Sequence, residues 1–307
     1  MAQLSLKGAY ASLTKNEAQR EALAAYLFIL PTLIGFLVFI IGPIIAAVFL
    51  SFTSYDLLTP PKINGIENYS RLFTDPRLRT VYWNTIFLTF LAVIGNNVVG
   101  LALAVLINQK LSGPLRYFFR TAYFFPVLIA LAYCAIIWQF MFQKDTGLIN
   151  YYLGLLGVAP LHWLGNKDLV KPAVIILDVW KNCGFNMIIY MAGLQSIPQE
   201  YSEASAIDGA NRWQIFRRIT LPLISPSIFF LVIINMIGAL QMFDSVVVLT
   251  AGGPGDASRT LVMFIYEQAF QNFRMGYASA VALTLFAVIM GLTLIQFRLS
   301  QNWVHYE

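Results

Sequence analysis

Charged residues are scarce in this sequence: only 11% of its 307 residues are Asp, Glu, Lys or Arg, whereas 58% are hydrophobic. Soluble domains contain about 25% charged residues on average. The scarcity of charge therefore excludes an ordinary soluble domain. It predicts an all-α, polytopic membrane protein, because a helix satisfies its own backbone hydrogen bonds where water is absent.

Residues that carry chemistry are also few. The only cysteines, Cys134 and Cys183, lie in apolar segments, and the only histidines, His162 and His305, are expected in a loop and in the tail. These positions predict neither a disulfide framework nor a metal site. We find no Gly-x4-Gly-Lys-Ser/Thr phosphate loop, no nucleophile with a base, and no nucleic-acid-binding motif. The sequence therefore predicts a non-catalytic protein without a cofactor, a metal or a nucleic-acid partner.

Long apolar runs take up most of the chain. The first one lacks a small-residue cleavage pattern, so it is predicted to be an anchor and not a cleaved signal peptide. Six predicted spans place both termini on one side, and the acid-free basic loop 108–120 favours the cytoplasm for that side. We expect an N-terminal segment (1–24), a transmembrane domain (25–300) and a tail (301–307). The predicted spans are 25–51, 81–107, 121–142, 172–196, 225–249 and 276–297.

One polar segment, 198–222, interrupts these runs with three acidic and three basic residues. Each charge would cost several kcal/mol at the membrane midplane, so the segment is not expected to cross the bilayer. Its mixed apolar and charged pattern predicts short helices along the membrane surface. Pro198 suits the first helical position, and Gly209 suits a break between two helices. An ordinary interfacial amphipathic helix is one interpretation.

A second interpretation comes from the spacing of residues in this segment. Glu203-Ala204-Ser205, three residues, Gly209, nine residues and then Ile219-Thr220-Leu221-Pro222 resemble the EAA loop of ABC importer permeases. Ser205 departs from the pattern, since it replaces the second alanine with a residue of similar size. The resemblance implies that Glu203, Ala204, Ser205, Asp208 and Gly209 couple the chain to an ATPase.

The resemblance covers most of residues 22–300, and the chain is similar to the sugar-importer branch of these permeases, of the maltose and glycerol-phosphate permease type. It implies a type I importer fold with six transmembrane helices in a bacterial cytoplasmic membrane. It also implies four kinds of partner: a second homologous permease subunit, two ATPase subunits, an extracytoplasmic solute-binding protein and a sugar substrate. Its further motifs are Trp180, Gly184-Phe185, Ala192-Gly193-Leu194-Gln195, Phe243-Asp244, Leu249-Thr250-Ala251-Gly252-Gly253-Pro254 and Gly276-Tyr277-Ala278-Ser279-Ala280.

Polar side chains within the predicted spans have two possible roles. Asn96 and Asn97 are predicted to join helices through hydrogen bonds. Asp178 and Lys181, three residues apart, could form a mutually neutralised pair or line a polar pathway. Amides and aromatic rings together suit a sugar, whose hydroxyls need hydrogen bonds and whose C–H faces pack on rings. By resemblance to the maltose permease, the candidate solute contacts are Tyr123, Asp178, Asn182, Phe185, Gln241 and Asp244.

The sequence leaves three functions open. The leading hypothesis is a permease subunit of an ABC importer that moves a carbohydrate by alternating access. A polyol, glycerol-phosphate or polyamine importer is the alternative within that class, although a phosphorylated solute would need several convergent basic residues in the spans. The third is an ion-coupled secondary transporter that uses Asp178 and Asp244. It would not need the loop 198–222 to dock on an ATPase.

Overall fold

The computed structural model describes residues 2–109 and 111–304, without the side chains of residues 2–18 and of Ser202. The predicted tail therefore falls partly, and His305 entirely, outside the described residues. The helices are α1 (Ala2–Phe36), α2 (Gly42–Ser51), α3 (Glu67–Thr74), α4 (Pro76–Ile107), α5 (Gly113–Leu128), α6 (Leu131–Met141), α7 (Leu148–Leu155), α8 (Val170–Ser196), α9 (Gln199–Ile207), α10 (Arg212–Ile215), α11 (Leu221–Leu223), α12 (Ser225–Leu240), α13 (Asp244–Thr250), α14 (Leu261–Tyr266) and α15 (Met275–Ser300).

Three short π-helical stretches continue these helices, at Leu37–Ile41 after α1, at Phe216–Thr220 after α10 and at Glu267–Gln271 after α14. The strands within the described residues are β1 (Thr53–Ser54) and β2 (Lys62–Ile63), which pair antiparallel. The described chain is thus almost entirely helical, as the composition predicts.

Four helical segments are long and apolar enough to cross a membrane: Gln19–Ser51, α4, α8 and α15. Two bent helix pairs also pass the same test, which gives up to six spans if each pair counts as one. In one pair, α5 and α6 meet at 102°, and in the other the segment Arg212–Leu223 meets α12 at 66°. The predicted third span is therefore not straight. The predicted fifth span ends early, because α12 stops at Leu240 and a separate helix, α13, follows.

The core of the bundle is formed where α4 and α8 pack along each other and against α12, α6 and α13. Leu88 and Ala92 from α4 meet Leu177 from α8, Trp138 from α6 and Val246 from α13 in one buried cluster. By contrast, the most apolar window of Gln19–Ser51 buries none of its residues against the rest of the chain. This first span therefore needs lipid or another protein to cover it.

A close approach of α5 to α8 requires a glycine. A Cβ atom at Gly184 would overlap the carbonyl group of Tyr123, so any larger residue would push the two helices apart. Small residues at helix interfaces let backbones approach closely in membranes, where packing replaces the hydrophobic effect as the driving force. Gly184 thus fixes the position of the α5 backbone near a predicted solute contact.

The two ends of the bundle differ in structure. At one end, α4, α5, α8 and α12 meet the charged segment 198–222, and we call this the coupling end. At the opposite end, residues 52–75, which lie between the first two predicted spans, contain the β1–β2 hairpin and α3. The main chain of this region is tied to α15, because the Met275 amide donates to the Tyr55 carbonyl at 2.9 Å. The Tyr277 hydroxyl adds a bond to Asp75 at 3.0 Å.

Candidate coupling segment and solute path

The charged segment folds into two short helices with a sharp turn between them. Helix α9 begins directly after Pro198 and ends at Ile207, so the proline precedes the first helical residue instead of occupying it. Gly209 has a φ of +84°, a left-handed conformation that favours glycine. Asn211 then begins α10 with a capping box, in which its side chain accepts from the Gln214 amide at 2.9 Å. The predicted pair of helices with a break at Gly209 is confirmed.

The surface of this segment is open to a partner. Glu203, Ala204, Asp208 and Gly209 are exposed, and Ile207 exposes 86% of its surface in the described chain. A groove of about 340 Å³ lies between the two helices and is lined by Ser205, Asp208, Gly209, Ala210, Gln214, Ile215, Arg218 and Ile219. An exposed apolar residue beside a groove with charges of both signs is a suitable docking surface.

Ser205 keeps this surface compatible with an alanine pattern. Its hydroxyl donates to the Tyr201 carbonyl, one turn earlier, at 2.7 Å. The hydroxyl is thus satisfied within its own helix and does not need a polar partner across an interface. The serine therefore presents a small side chain, much as the alanine it replaces would.

Polar side chains form a ladder along α8 at intervals of four residues: Asp178, Asn182, Asn186 and Tyr190. The Asn182 amide donates to the Asp178 carbonyl at 3.0 Å and to its carboxylate at 3.2 Å. The Asn186 amide continues the series with a bond to the Asn182 carbonyl at 3.0 Å. Residues four apart share one helix face. The ladder is therefore one continuous polar stripe inside the bundle.

Neighbouring helices bond to this polar ladder. From α4, Asn96 donates to the Asp178 carboxylate at 2.8 Å, and Asn97 accepts from the Tyr190 hydroxyl at 2.5 Å. From α12, Asn235 donates to the Asn186 side chain at 2.7 Å. Asn96 and Asn97 thus join helices, as their sequence positions predict. Asn186, Tyr190 and Asn235 were not among the predicted site residues, although the four-residue spacing of the ladder is visible in the sequence.

Lys181 does not belong to the ladder, and the idea that it neutralises Asp178 is wrong. Its ammonium group donates to the Val127 carbonyl of α5 at 2.7 Å. None of the ion pairs in the described part of the chain contains Asp178 or Lys181. A three-residue separation leaves the two side chains about 60° apart around the helix. Here that difference turns Lys181 towards α5, and the carboxylate of Asp178 towards α4.

The remaining predicted solute contacts occupy three different places. Tyr123 on α5 is exposed and stacks on Phe119, with ring centroids 6.3 Å apart. Phe185 is half-buried against the cluster around Met187 and Tyr190. Gln241 and Asp244 are exposed and flank the break between α12 and α13. The structure therefore brings Asp178 and Asn182 together, and among the described residues it shows no hydrogen bond that joins the other four predicted residues to them or to one another.

A cluster of four charged side chains at the opposite end was not predicted from the sequence. Arg77 pairs with Asp256 at 2.9 Å and with Glu267 at 3.5 Å. Arg259 pairs with Glu267 at 3.1 Å and also with Asp256. Asn84 donates to the carbonyls of Asp256 and Arg259 and so fixes the loop itself. The cluster ties the loop 251–260 to the start of α4 and to the helical segment that follows the loop.

Comparison with known proteins identifies the family to which the chain belongs. A family model described as "Binding-protein-dependent transport system inner membrane component" matches residues 96–304. The chain belongs to this family of ABC transporter permeases. The matched region includes the coupling segment, the whole polar ladder and three members of the charged cluster. The predicted family and the membrane location are thereby confirmed.

Two curated relatives and one solved structure are similar over nearly the full chain. The trehalose/maltose transport system permease protein MalF of Thermococcus litoralis is 33% identical, over 94% of this chain and 98% of the relative. The sn-glycerol-3-phosphate transport system permease protein UgpA of Pectobacterium atrosepticum is 32% identical, over 94% of this chain and 97% of the relative. A bacterial ABC transporter that imports the acidic polysaccharide alginate contains a chain with a TM-score of 0.82 and 26% identity, covering 94% of this chain and 98% of that one. The type I importer permease fold is confirmed.

In this family member, the described residues offer no group of three or more His, Cys, Asp or Glu side chains arranged for a metal ion. The chemistry available along the bundle is hydrogen bonding from amides, hydroxyls and one carboxylate, together with aromatic surface. Groups of this kind suit reversible binding of a polar solute without a covalent step.

Proposed function

We propose that this permease carries a neutral carbohydrate, an oligosaccharide or a glycoside, across the cytoplasmic membrane by alternating access. The observation that carries the proposal is the state of Lys181. It lies between Asp178 and Asn182 on α8, and its ammonium group is already bonded to the Val127 carbonyl. A phosphorylated solute would need free, convergent basic groups beside the polar ladder. The amides and aromatic rings among the predicted solute contacts remain available, and they suit the hydroxyls and C–H faces of a sugar.

The names of the relatives support an importer of sugars or glycerol phosphate, but the relatives differ in the solute that they carry. Their names refer to trehalose and maltose in one case and to glycerol phosphate in another. The related solved transporter imports an acidic polysaccharide. The proposal of a neutral sugar for this chain therefore depends on its own side chains, and glycerol phosphate is the competing solute.

The proposal is tested by competition for uptake in membrane vesicles that contain the permease with its partner subunits. A panel of neutral disaccharides and trisaccharides is compared with glycerol 3-phosphate and an acidic oligosaccharide. We expect at least one neutral sugar to be taken up with ATP, and glycerol 3-phosphate at tenfold excess not to compete. Competition by glycerol 3-phosphate equal to that of the best sugar would refute the neutral-sugar assignment.

We propose further that the exposed residues of the coupling segment dock on an ATPase subunit in the cytoplasm. Glu203, Ala204 and Ser205 lie on α9, while Asp208 and Gly209 shape the turn beside the groove. ATP-driven closure of two ATPase subunits would then move the helices α9 and α10 and, through them, α8 and α12. The chain itself has no phosphate loop, so ATP hydrolysis is assigned to separate subunits.

Two further partners follow from the same proposal. The first span, whose most apolar window packs on nothing else in the described chain, is covered by lipid and by a second, homologous permease. The opposite end of the bundle, which contains the β1–β2 hairpin and the loop 251–260, receives an extracytoplasmic solute-binding protein. A secondary transporter would not need the docking surface, so co-purification with an ATPase subunit separates the two mechanisms.

A further inference from the structure

A cavity of about 820 Å³ opens at the coupling end, beside the docking surface but separate from it. Its wall combines the last turn of α4, the first turns of α5, the last turn of α8 and the coupling segment. The lining is rich in amides and guanidinium groups, and no acidic side chain contributes to it within the described chain. The polar lining residues are Asn108, Gln109, Arg116, Arg120, Gln195, Gln199 and Thr220.

Two arginines on one face of α5 dominate the charge of this cavity. Arg116 and Arg120 are one helical turn apart, so their side chains lie next to each other. Arg116 donates to the carbonyls of Gln109 and Leu111 at 3.3 and 3.5 Å, which uses part of its guanidinium group. The Nε atoms of both arginines are buried and have no partner among the described residues. Buried donors without acceptors are costly, so two of them beside one cavity favour a ligand there that accepts hydrogen bonds from guanidinium groups.

Nothing in the described part of the chain neutralises this pair. The ion pairs there all belong to the charged cluster at the opposite end, formed by Arg77, Asp256, Arg259 and Glu267. Two neighbouring guanidinium groups repel each other, and an anion between them replaces that repulsion with attraction. Guanidinium groups bind phosphate through paired N–H donors, in a geometry that a single ammonium group does not offer.

We propose that this cavity binds a phosphate group, held between Arg116 and Arg120. The amides of Asn108, Gln109 and Gln195 are available to the remainder of the ligand. The phosphate can belong to a lipid headgroup or to a small soluble molecule. A lipid source fits the neighbouring side chains, because Tyr117 and Phe118 are exposed on the same turn of α5, and aromatic residues are common at the membrane interface.

The position of the cavity gives the bound phosphate a structural consequence. Arg116 and Arg120 belong to the bundle, whereas Gln199 begins α9 and Thr220 ends the π-helical stretch that follows α10. A ligand that contacts both sides joins the bundle to the coupling segment. Binding to the folded protein also raises its apparent stability in proportion to the logarithm of ligand concentration. The site is independent of which solute the permease carries.

The experiment uses the assembled transporter in phosphatidylcholine nanodiscs, with the ATPase sites filled by a non-hydrolysable ATP analogue. One arm adds inorganic phosphate at constant ionic strength, and the other replaces part of the lipid with phosphatidylglycerol. The readouts are the unfolding temperature of the permease and the ligand retained in native mass spectrometry. The test variant is Arg116→Gln with Arg120→Gln. The matched control is Arg298→Gln, which removes an exposed arginine from the last turn of α15, at the same end but outside the cavity.

We expect phosphate, phosphatidylglycerol or both to bind the wild type and the control, and to bind the double variant at least tenfold more weakly. Saturation by inorganic phosphate identifies a soluble ligand, whereas retention of phosphatidylglycerol alone identifies a lipid. The double variant Arg116→Lys/Arg120→Lys keeps the charge and should bind with intermediate affinity, which guards against a folding defect. Equal binding by wild type and Gln variant, or no binding by the wild type, overturns the proposal.

Discussion

Replacing Arg259 by methionine should destabilise the permease strongly. Arg259 is buried, with 9% of its surface exposed, and pairs with Glu267 at 3.1 Å and with Asp256. Methionine fills a similar volume without charge. Glu267, only 6% exposed, would then keep Arg77 at 3.5 Å as its remaining ionic partner. The variant thus leaves a buried carboxylate that has lost its closest cation.

The structure indicates how large the loss should be. Removing one member of a buried ion pair costs about 3–5 kcal/mol, because the other charge remains without compensation. Arg77 still contacts both acids, so we expect a value near the lower limit, about 3 kcal/mol. The double variant Arg259→Met/Glu267→Met removes both charges and should lose less than the single variant, since apolar replacement of a whole pair is often neutral.

A double-mutant cycle measures this coupling. The free energy of unfolding is determined by denaturant titration in mixed micelles for the wild type, both single variants and the double variant. Arg79→Met is the matched control, because Arg79 is exposed on the first turns of α4 and has no ion pair among the described residues. We expect the control to change stability by about 0.5 kcal/mol or less. A double variant as unstable as the sum of its singles would refute the reasoning.

Three other predictions concern topology, coupling and the solute path. A cysteine at Gln214, which is exposed on α10, should react with a membrane-impermeant reagent in inverted vesicles only; labelling of intact cells would reverse the orientation. Glu203→Lys and Gly209→Val should insert normally yet reduce solute-stimulated ATP hydrolysis about tenfold or more. The first variant creates like-charge repulsion at an interface, and the second cannot easily adopt the φ of +84°. Normal uptake by both variants would remove the coupling role. Asn182→Ala should lower stability by about 1.5–3 kcal/mol, whereas Gln241→Ala should leave stability unchanged and weaken sugar competition up to about tenfold; the reverse pattern would contradict the assignment.

Most of the fold could be predicted from the sequence because long apolar runs have few structural alternatives in a membrane. The four straight spans begin and end close to the predicted bounds; for example, α8 runs from Val170 to Ser196 where 172–196 is predicted. The bend of 102° between α5 and α6 was not predicted. Its cause is local: Ile129 and Ala130 adopt extended backbone conformations between α5 and α6, and hydropathy is insensitive to backbone direction.

The coupling segment was predictable for a different reason. Its charges exclude a membrane span, and Gly209 provides the left-handed turn that two helices at this spacing need. The charged cluster could not be predicted in the same way. Arg77 and Asp256 are separated by 179 residues, and nothing in the sequence brings them together before the chain folds. Long-range pairing of single charges has no local pattern.

The polar residues of the bundle divide by how many hydrogen bonds they already have. Asp178 is buried and receives bonds from Asn96 and Asn182, so its carboxylate has little capacity left for a solute in this conformation. Gln241 and Asp244 are exposed at the break between α12 and α13, where helix ends leave backbone groups accessible as well. Broken helices at membrane depth are tolerated where they line a cavity. Selectivity among sugars should therefore depend more on this break than on the polar ladder, whose hydrogen bonds join α8 to α4 and α12.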